Sequence, residues 1–260
     1  MEDNRLFTEE RRVEILNLLR DSGSLSVLDL SERFRVSGTT IRTDLTALEE
    51  KGLLRRTHGG AVLPQTEMPF YRELGIQERT CLKEKQAIAK AALSYVSSHE
   101  TILLDNGTTM AAFCTALLHS PLSGLTVYSN DLNGMELLEA KDNFDLRLFG
   151  GRVRSGFHYT YGPQVIEEIR KYHFAKLFLA ANALSKDGLT TVNSDLAEVK
   201  RAMIDSAEEV ILLADSSKIG QISLQKFADL SEIDVMITDR GISAKDKTML
   251  EKRIGKLIIV

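Results

Sequence analysis

The chain has 260 residues, 43% of them hydrophobic, two cysteines and a formal net charge of -4, enough to bury a full core in one large domain or in a small and a medium one. Its longest apolar runs, such as Val210–Ala214 and Leu257–Val260, fall far short of the roughly 20 residues that cross a bilayer, and the charged opening MEDNRLFTEERR lacks the apolar core of a secretory signal. A cytoplasmic protein with no membrane partner is therefore expected, and Cys81 and Cys114, without CxxC or Cys/His spacing, read as buried thiols rather than a disulfide or metal site.

In chain order the first predicted element is a helix. Thr8 is placed to cap it, Val13, Ile15, Leu16, Leu18 and Leu19 form its apolar stripe, and Gly23 can take the left-handed conformation that ends it. A second helix follows in SVLDLSERF, where Ser26 and Asp29 have capping-box spacing and Val27, Leu30 and Phe34 recur on one side. RVSGTT interrupts the pattern. Val36 anchors that turn, and Ser37 caps a third helix that carries Ile41, Leu45 and Leu48 inward. Its outward face begins with Gly38, Thr39, Thr40, Arg42 and Thr43. Gly52 ends it, and LLRRTHGGAVL then reads as strand, glycine turn, strand.

Residues 33–61 hold six Lys/Arg against three Asp/Glu, a local charge of +3 in an acidic chain. A binding face for a polyanion and a plain solvated helix face both account for that charge. The order of elements favours the first. Two short helices joined by a tight turn, the second presenting small polar residues and an arginine at its N-terminal end, form a helix-turn-helix pattern. The major groove admits one helix, helix N-termini and hydroxyls favour phosphate, and arginine can reach a guanine edge with two hydrogen bonds. Arg55, Arg56 and His58 project from the following hairpin, or wing, towards backbone or minor groove.

The stretch VSGTTIRTDLTALEEKGLLRRTHGGAVLP resembles the N-terminal winged helix-turn-helix of the DeoR family of bacterial transcriptional regulators, including its closing HGGA. The resemblance implies double-stranded operator DNA as partner, bound through Ser37, Gly38, Thr39, Thr40, Arg42, Thr43, Arg55, Arg56 and His58. Thr43 stands where many relatives are basic and Gly38 where several carry another residue, so base preference is not transferable. The expected DNA-binding domain covers residues 8–63, with its helix-turn-helix at about 25–44; a linker with Pro64 and Pro69 covers 64–84, and a second domain covers 85–260.

In that second part, short apolar runs alternate with helix-forming stretches: TILLD, LTVYS, FDLRLFG, KLFLAA, VILLAD, DVMITD and KLIIV. This predicts an α/β domain with a largely parallel sheet covered on both faces. Such sheets bind ligands at the carboxyl ends of their strands. The residues there are DNGTTM after the first run, with Asp105, Gly107, Thr108 and Thr109, then Asn130, then Gly150, Gly151 and Arg152, then Asn182, then Asp215 and Lys218. A glycine that opens backbone N–H groups to an anion, hydroxyls starting a helix, and carboxylate, amide and lysine groups together suit a phosphorylated polyol. Taken singly, each is better read as a cap, a turn or a surface pair, and only their common position favours a ligand site. There is no GxxxxGK[ST], no dinucleotide fingerprint and no serine-hydrolase elbow, and no cofactor is expected.

LLDNGTTM, LFGGRVR, GLTTVN, KRAMIDSA and LLADSSKIG look like the C-terminal sensor domain of the same family, a Rossmann-like α/β fold related to ribose-5-phosphate isomerase and the CoA transferases. The resemblance implies a sugar-phosphate pocket. Gly107, Thr108 and Thr109 would hold the phosphate, Asp105 and Lys218 the sugar hydroxyls or phosphate, and Asn130, Gly151, Arg152 and Asn182 would line the site. Ala180 and Asn182 replace a glycine and an acid found in many relatives, which weakens any catalytic role, since isomerisation needs a base at the carbon acid. The expected function is a non-enzymatic, homo-oligomeric (dimeric or tetrameric) repressor of a carbohydrate operon, controlled by a sugar phosphate. Two alternatives stay open: a sugar-phosphate isomerase-like enzyme with a DNA-binding appendage, and a second domain that serves only for oligomerisation.

Overall fold

A computed structural model describes residues 8–22, 24–50, 54–57, 59–62 and 81–260. The chain divides after residue 80 into two compact units. Gly52, Leu53, His58 and residues 63–80, which include most of the expected linker, lie outside the described residues, as does the side chain of Val13.

The first unit runs α1 (Thr8–Ser22), β1 (Ser24–Ser26), α2 (Val27–Phe34), α3 (Gly38–Glu50), β2 (Arg55–Thr57) and β3 (Gly60–Val62). Its local signals act as their chemistry requires. The Ser26 hydroxyl accepts the Asp29 N–H at 3.0 Å and starts α2. Arg35, left-handed at φ 52°, ends it, and the Ser37 hydroxyl accepts the Thr40 N–H at 3.2 Å to start α3. Ile15, Leu19, Leu30, Ile41, Leu45, Leu48, Leu54 and Ala61 form one core. The wing is three-stranded rather than two-stranded, in the order β1-β3-β2, because Ser24–Ser26 pairs antiparallel with β3. Gly60 permits that pairing: a Cβ there would lie 1.8 Å from the Leu25 carbonyl oxygen. Asp44 is not a surface charge. It is buried, and it accepts from Arg11 Nε at 2.7 Å and Arg12 Nε at 3.0 Å, tying α1 to α3.

The second unit begins with α4 (Leu82–Ala92) and continues through β4 (Thr101–Leu104), α5 (Thr108–Leu118), β5 (Thr126–Ser129), α6 (Leu132–Glu139) and β6 (Asp145–Leu148). A hairpin, β7 (Arg152–Arg154) and β8 (Tyr159–Tyr161), leads to α7 (Pro163–Ile169) and β9 (Phe174–Leu179). Next come β10 (Ala183–Ser185), β11 (Gly188–Thr191), α8 (Ser194–Asp205), β12 (Ala207–Leu213), a 3-10 turn (Ser216–Lys218), β13 (Gln225–Ala228), β14 (Val235–Thr238), α9 (Ala244–Glu251) and β15 (Lys256–Ile259).

Seven strands form one parallel sheet in the order β15-β14-β12-β9-β4-β5-β6. Strand residues alternate between two cores. Leu103, Leu177, Leu179, Leu212 and Met236 pack with α7 and α8, while Ile102, Leu104, Phe178, Ile211 and Leu213 pack with α4 and α5. Burial on both faces is what makes these strands continuous apolar runs. The chain winds outward from β4 to β6, then returns to the other side of β4 at β9. The crevice between the carboxyl ends of β4 and β9 is thus the topological switch point, where such sheets place ligands. Among the described residues, no helix is long and apolar enough to cross a membrane.

Candidate functional site

In the first unit, Thr39, Arg42 and Thr43 are exposed on α3, with Gly38 and Thr40 half-buried beside them. Several hydroxyls serve the helix itself. Ser37 and Thr40 share a bond of 2.9 Å, the Thr43 hydroxyl donates to the Thr39 carbonyl at 3.1 Å, and the Thr46 hydroxyl to the Arg42 carbonyl at 2.8 Å. Arg42 turns back across Gly38, its Nη1 3.4 Å from the position a Cβ would take. A Cβ at 38 would therefore sit in ordinary contact with the arginine expected to read the groove. Arg56 docks on α3: its N–H donates to Glu49 Oε1 at 2.7 Å and its Nη1 to the Thr46 hydroxyl at 2.7 Å. Arg55 is exposed on the same strand. Helix N-terminus, arginine and wing cations thus meet on one unit, an arrangement able to hold phosphates and reach base edges. His58 lies outside the described residues.

In the second unit the switch point holds Asp105, only 1% exposed at the end of β4. It shares the pleat direction of Leu103, towards α8, and there it meets Lys200, 2% exposed. The Lys200 ammonium donates to Asp105 Oδ2 and, at 3.0 Å, to the Ala180 carbonyl, while the Ala180 N–H donates to Asp105 Oδ2 at 2.9 Å. The Phe227 ring lies 5.6 Å from the ammonium. Asp105 is among the site residues expected from sequence, and Lys200 is not. The available signal was a lysine on the apolar stripe of Leu196, Val199 and Met203.

Four buried side-chain atoms have no hydrogen-bond partner within the described structure: Asp105 Oδ1, Asn130 Oδ1, Asp215 Oδ2 and Thr238 Oγ1. All four lie at carboxyl ends of parallel strands, namely β4, β5, β12 and β14. Buried acceptors without donors are uncommon and mark a place for hydroxyls or water. Asn130 is oriented by its own amide, whose Nδ2 donates to the Thr160 carbonyl at 2.9 Å, while the Thr160 N–H donates to the Asn130 carbonyl at 2.8 Å.

Gly107 opens α5 at φ 120°, a backbone conformation that side chains rarely tolerate, with open space where a Cβ would be. Thr108 and Thr109 form the first turn of α5 behind it. The loop therefore offers a helix N-terminus for an anion. Beside it sits Asp131, the N-cap of α6, which accepts the Asn133 N–H at 3.1 Å. Burial pushes its carboxyl up to about 6, although the N–H groups of Gly134, Asn133 and Gly107 act against that shift.

The remaining candidates are more dispersed. Gly151 is required by packing, since a Cβ would lie 2.5 Å from Val165 Cγ2. Arg152 places its guanidinium 5.2 Å from the Tyr161 ring centroid. Asn182 uses Oδ1 to accept from the Thr191 hydroxyl at 2.7 Å. Lys218 ends the turn that Asp215 caps, and β12, which precedes that turn, is separated from β4 by β9. Asp105, Gly107, Thr108, Thr109 and Asn130 thus come from adjacent strand ends, whereas Arg152 begins β7, Asn182 stands on the loop after β9 and Lys218 ends the 3-10 turn after β12.

Compared with known proteins, residues 11–67 match the DeoR-like helix-turn-helix domain and residues 80–240 the DeoR C terminal sensor domain. The chain is 35% identical over 256 residues to the "Putative aga operon transcriptional repressor" of Escherichia coli O157:H7, covering 97% of this chain and 94% of that protein. It is 34% identical over 235 residues to the HTH-type transcriptional repressor GlcR of Bacillus subtilis, covering 90% of each. Ribose 5 phosphate isomerase A from Neisseria gonorrhoeae is similar at 20% identity, with a TM-score of 0.38 over 52% of each chain. With both domains matched in order and relatives aligned along nearly the whole length, the chain belongs to the DeoR family of transcriptional regulators.

Proposed function

We propose that this chain is a cytoplasmic, homo-oligomeric repressor of a carbohydrate-utilisation operon whose grip on operator DNA is set by a sugar phosphate bound at the β4–β9 crevice. One observation carries the effector class: buried acceptors without donors, Asp105 Oδ1 and Asn130 Oδ1, stand next to an open glycine loop at the N-terminus of α5. Hydroxyls of a polyol satisfy the first and a phosphate suits the second. Two relatives, repressors named for the aga operon and for the glycerol-3-phosphate regulon, agree with a carbohydrate role.

The family is one of regulators, so the isomerase-like alternative falls away. The site gives it no support: Ala180 offers backbone groups and Asn182 an amide where a base would be needed. In the proposed mechanism, two reading helices of an oligomer engage two half-sites, and the effector shifts the population of arrangements able to span them, releasing DNA.

The test compares full-length wild type with Thr108→Val and Lys218→Ala in gel shifts on operator duplex, with and without a panel of sugar phosphates. Both variants are expected to bind operator like wild type and to lose the response. Loss of operator binding in the absence of effector, or a full response in both, would overturn the site assignment.

A further inference from the structure

Asp131 stands apart from the other residues at the sheet's carboxyl edge because nothing in the effector reading uses it. It is buried at 4% exposure, next to the loop that opens α5. Its charge is held by backbone N–H groups, those of Gly134, Asn133 and Gly107, rather than by a cation. The groups facing it add to the difficulty. From the end of β4 the Asp105 carboxylate opposes its charge, and from α5 comes the buried Cys114 thiol, itself pushed up by burial and by Asp131. The position of a Cβ on Gly134 lies 3.1 Å from Cys114 Sγ and 3.3 Å from Asp131 Oδ2, so thiol and carboxylate meet under α6. From β8, Tyr159 bridges to Asp131 through backbone, and the Ser129 hydroxyl accepts the Asp131 N–H at 2.9 Å.

The Gly107 N–H faces this carboxylate, and the same N–H belongs to the loop that would cradle the effector phosphate. Two anions drawn to that one N–H repel each other, the more so because the Asp131 carboxylate is itself buried. We propose that Asp131 takes up a proton from solvent when an anion docks on the Gly107–Thr109 loop, which makes it the positioning and charge-selecting residue of the effector site and links recognition to pH. The inference rests on the reading of this loop as the phosphate site. Acidification protonates Asp131 in advance and strengthens binding. At higher pH each binding event must draw in a proton, so affinity falls by up to about tenfold per pH unit.

The probe is inorganic sulfate, which stays fully ionised from pH 6 to 8, so that titration of the ligand does not enter. Calorimetry on the full-length protein, in buffers of differing ionisation enthalpy, reads both affinity and protons taken up. Wild type is expected to take up close to one proton per sulfate at pH 7.5 and to bind more weakly at each step from pH 6 to 8. Asp131→Asn is expected to show no uptake and a flat profile. Asp131→Ser, which keeps a helix-capping hydroxyl, repeats the test should the amide disturb the fold. A flat wild-type profile without uptake overturns the proposal, as does an unchanged profile in both variants. If neither sulfate nor any sugar phosphate binds at any pH, the phosphate-loop reading itself fails, and this inference fails with it.

Discussion

Replacing Lys200 by methionine removes an ammonium while keeping the length and apolar stem of the side chain. In the native crevice that ammonium bonds to Asp105 and to the Ala180 carbonyl, and both charged groups are essentially excluded from water. The variant leaves a buried carboxylate with no cation, one oxygen still held by the Ala180 N–H and the other already without a donor. Breaking one partner of a buried pair costs about 3–5 kcal/mol, most of it from the stranded charge. For a unit of this size that corresponds to a fall in Tm of about 6–20 °C. Differential scanning calorimetry of the full chain, read on the transition of the sensor unit, measures it. The double variant Asp105→Asn/Lys200→Met removes the stranded charge and should recover at least half of the loss. If Lys200→Met melted within about 1 kcal/mol of wild type, or if the double variant were less stable than the single one, the buried pair would not be what organises the switch point.

Three other outcomes are expected. Arg42→Ala should weaken operator binding by about 1–3 kcal/mol in fluorescence anisotropy, with no change in the melting of either unit. Gly60→Ala drives a methyl into the Leu25 backbone, so β1 must separate from β3; a loss of about 3 kcal/mol in the DNA-reading unit should follow, with sulfate binding by the sensor unit retained. Asp131 should also shape stability. Its folded pKa is raised to about 6, so between roughly pH 4 and 6 the native state keeps a proton that the unfolded chain has lost, and stability falls as pH rises through that window. Asp131→Asn should flatten this fall and be the more stable protein at pH 8, as measured by urea denaturation.

The parts of the fold that were readable from sequence are those set by local chemistry. Ser26, Ser37 and the apolar spacing of α1 to α3 announced the reading unit, and two-sided burial made each parallel strand an uninterrupted apolar run. The glycine turn that opens α5 was readable for the same reason, because Gly107 and Thr108 lie together in the chain. Strand order was not readable. It depends on which strands pair across the sheet, and it alone brings Ala180 beside Asp105. The short antiparallel strands β1, β7 and β8 are three residues each, too short to show a period.

Charged residues at apolar positions carried a signal that went unused. Asp44 completes the spacing of Ile41, Leu45 and Leu48, and Lys200 that of Leu196, Val199 and Met203. Lys85 stands likewise with Ile88, Ala89 and Ala92. A charge on an inward stripe requires a partner inside, and in the first two cases that partner is an ion pair between distant parts of the chain.

If the crevice and the reading helix belong to one thermodynamic cycle, the linkage between them is reciprocal. The affinity of the full-length protein for its operator is measured with and without a saturating sugar phosphate, and its affinity for that sugar phosphate with and without saturating operator. The same factor is expected in both directions, about 5–150-fold, corresponding to roughly 1–3 kcal/mol of coupling. Unchanged operator affinity with every sugar phosphate that binds would contradict it.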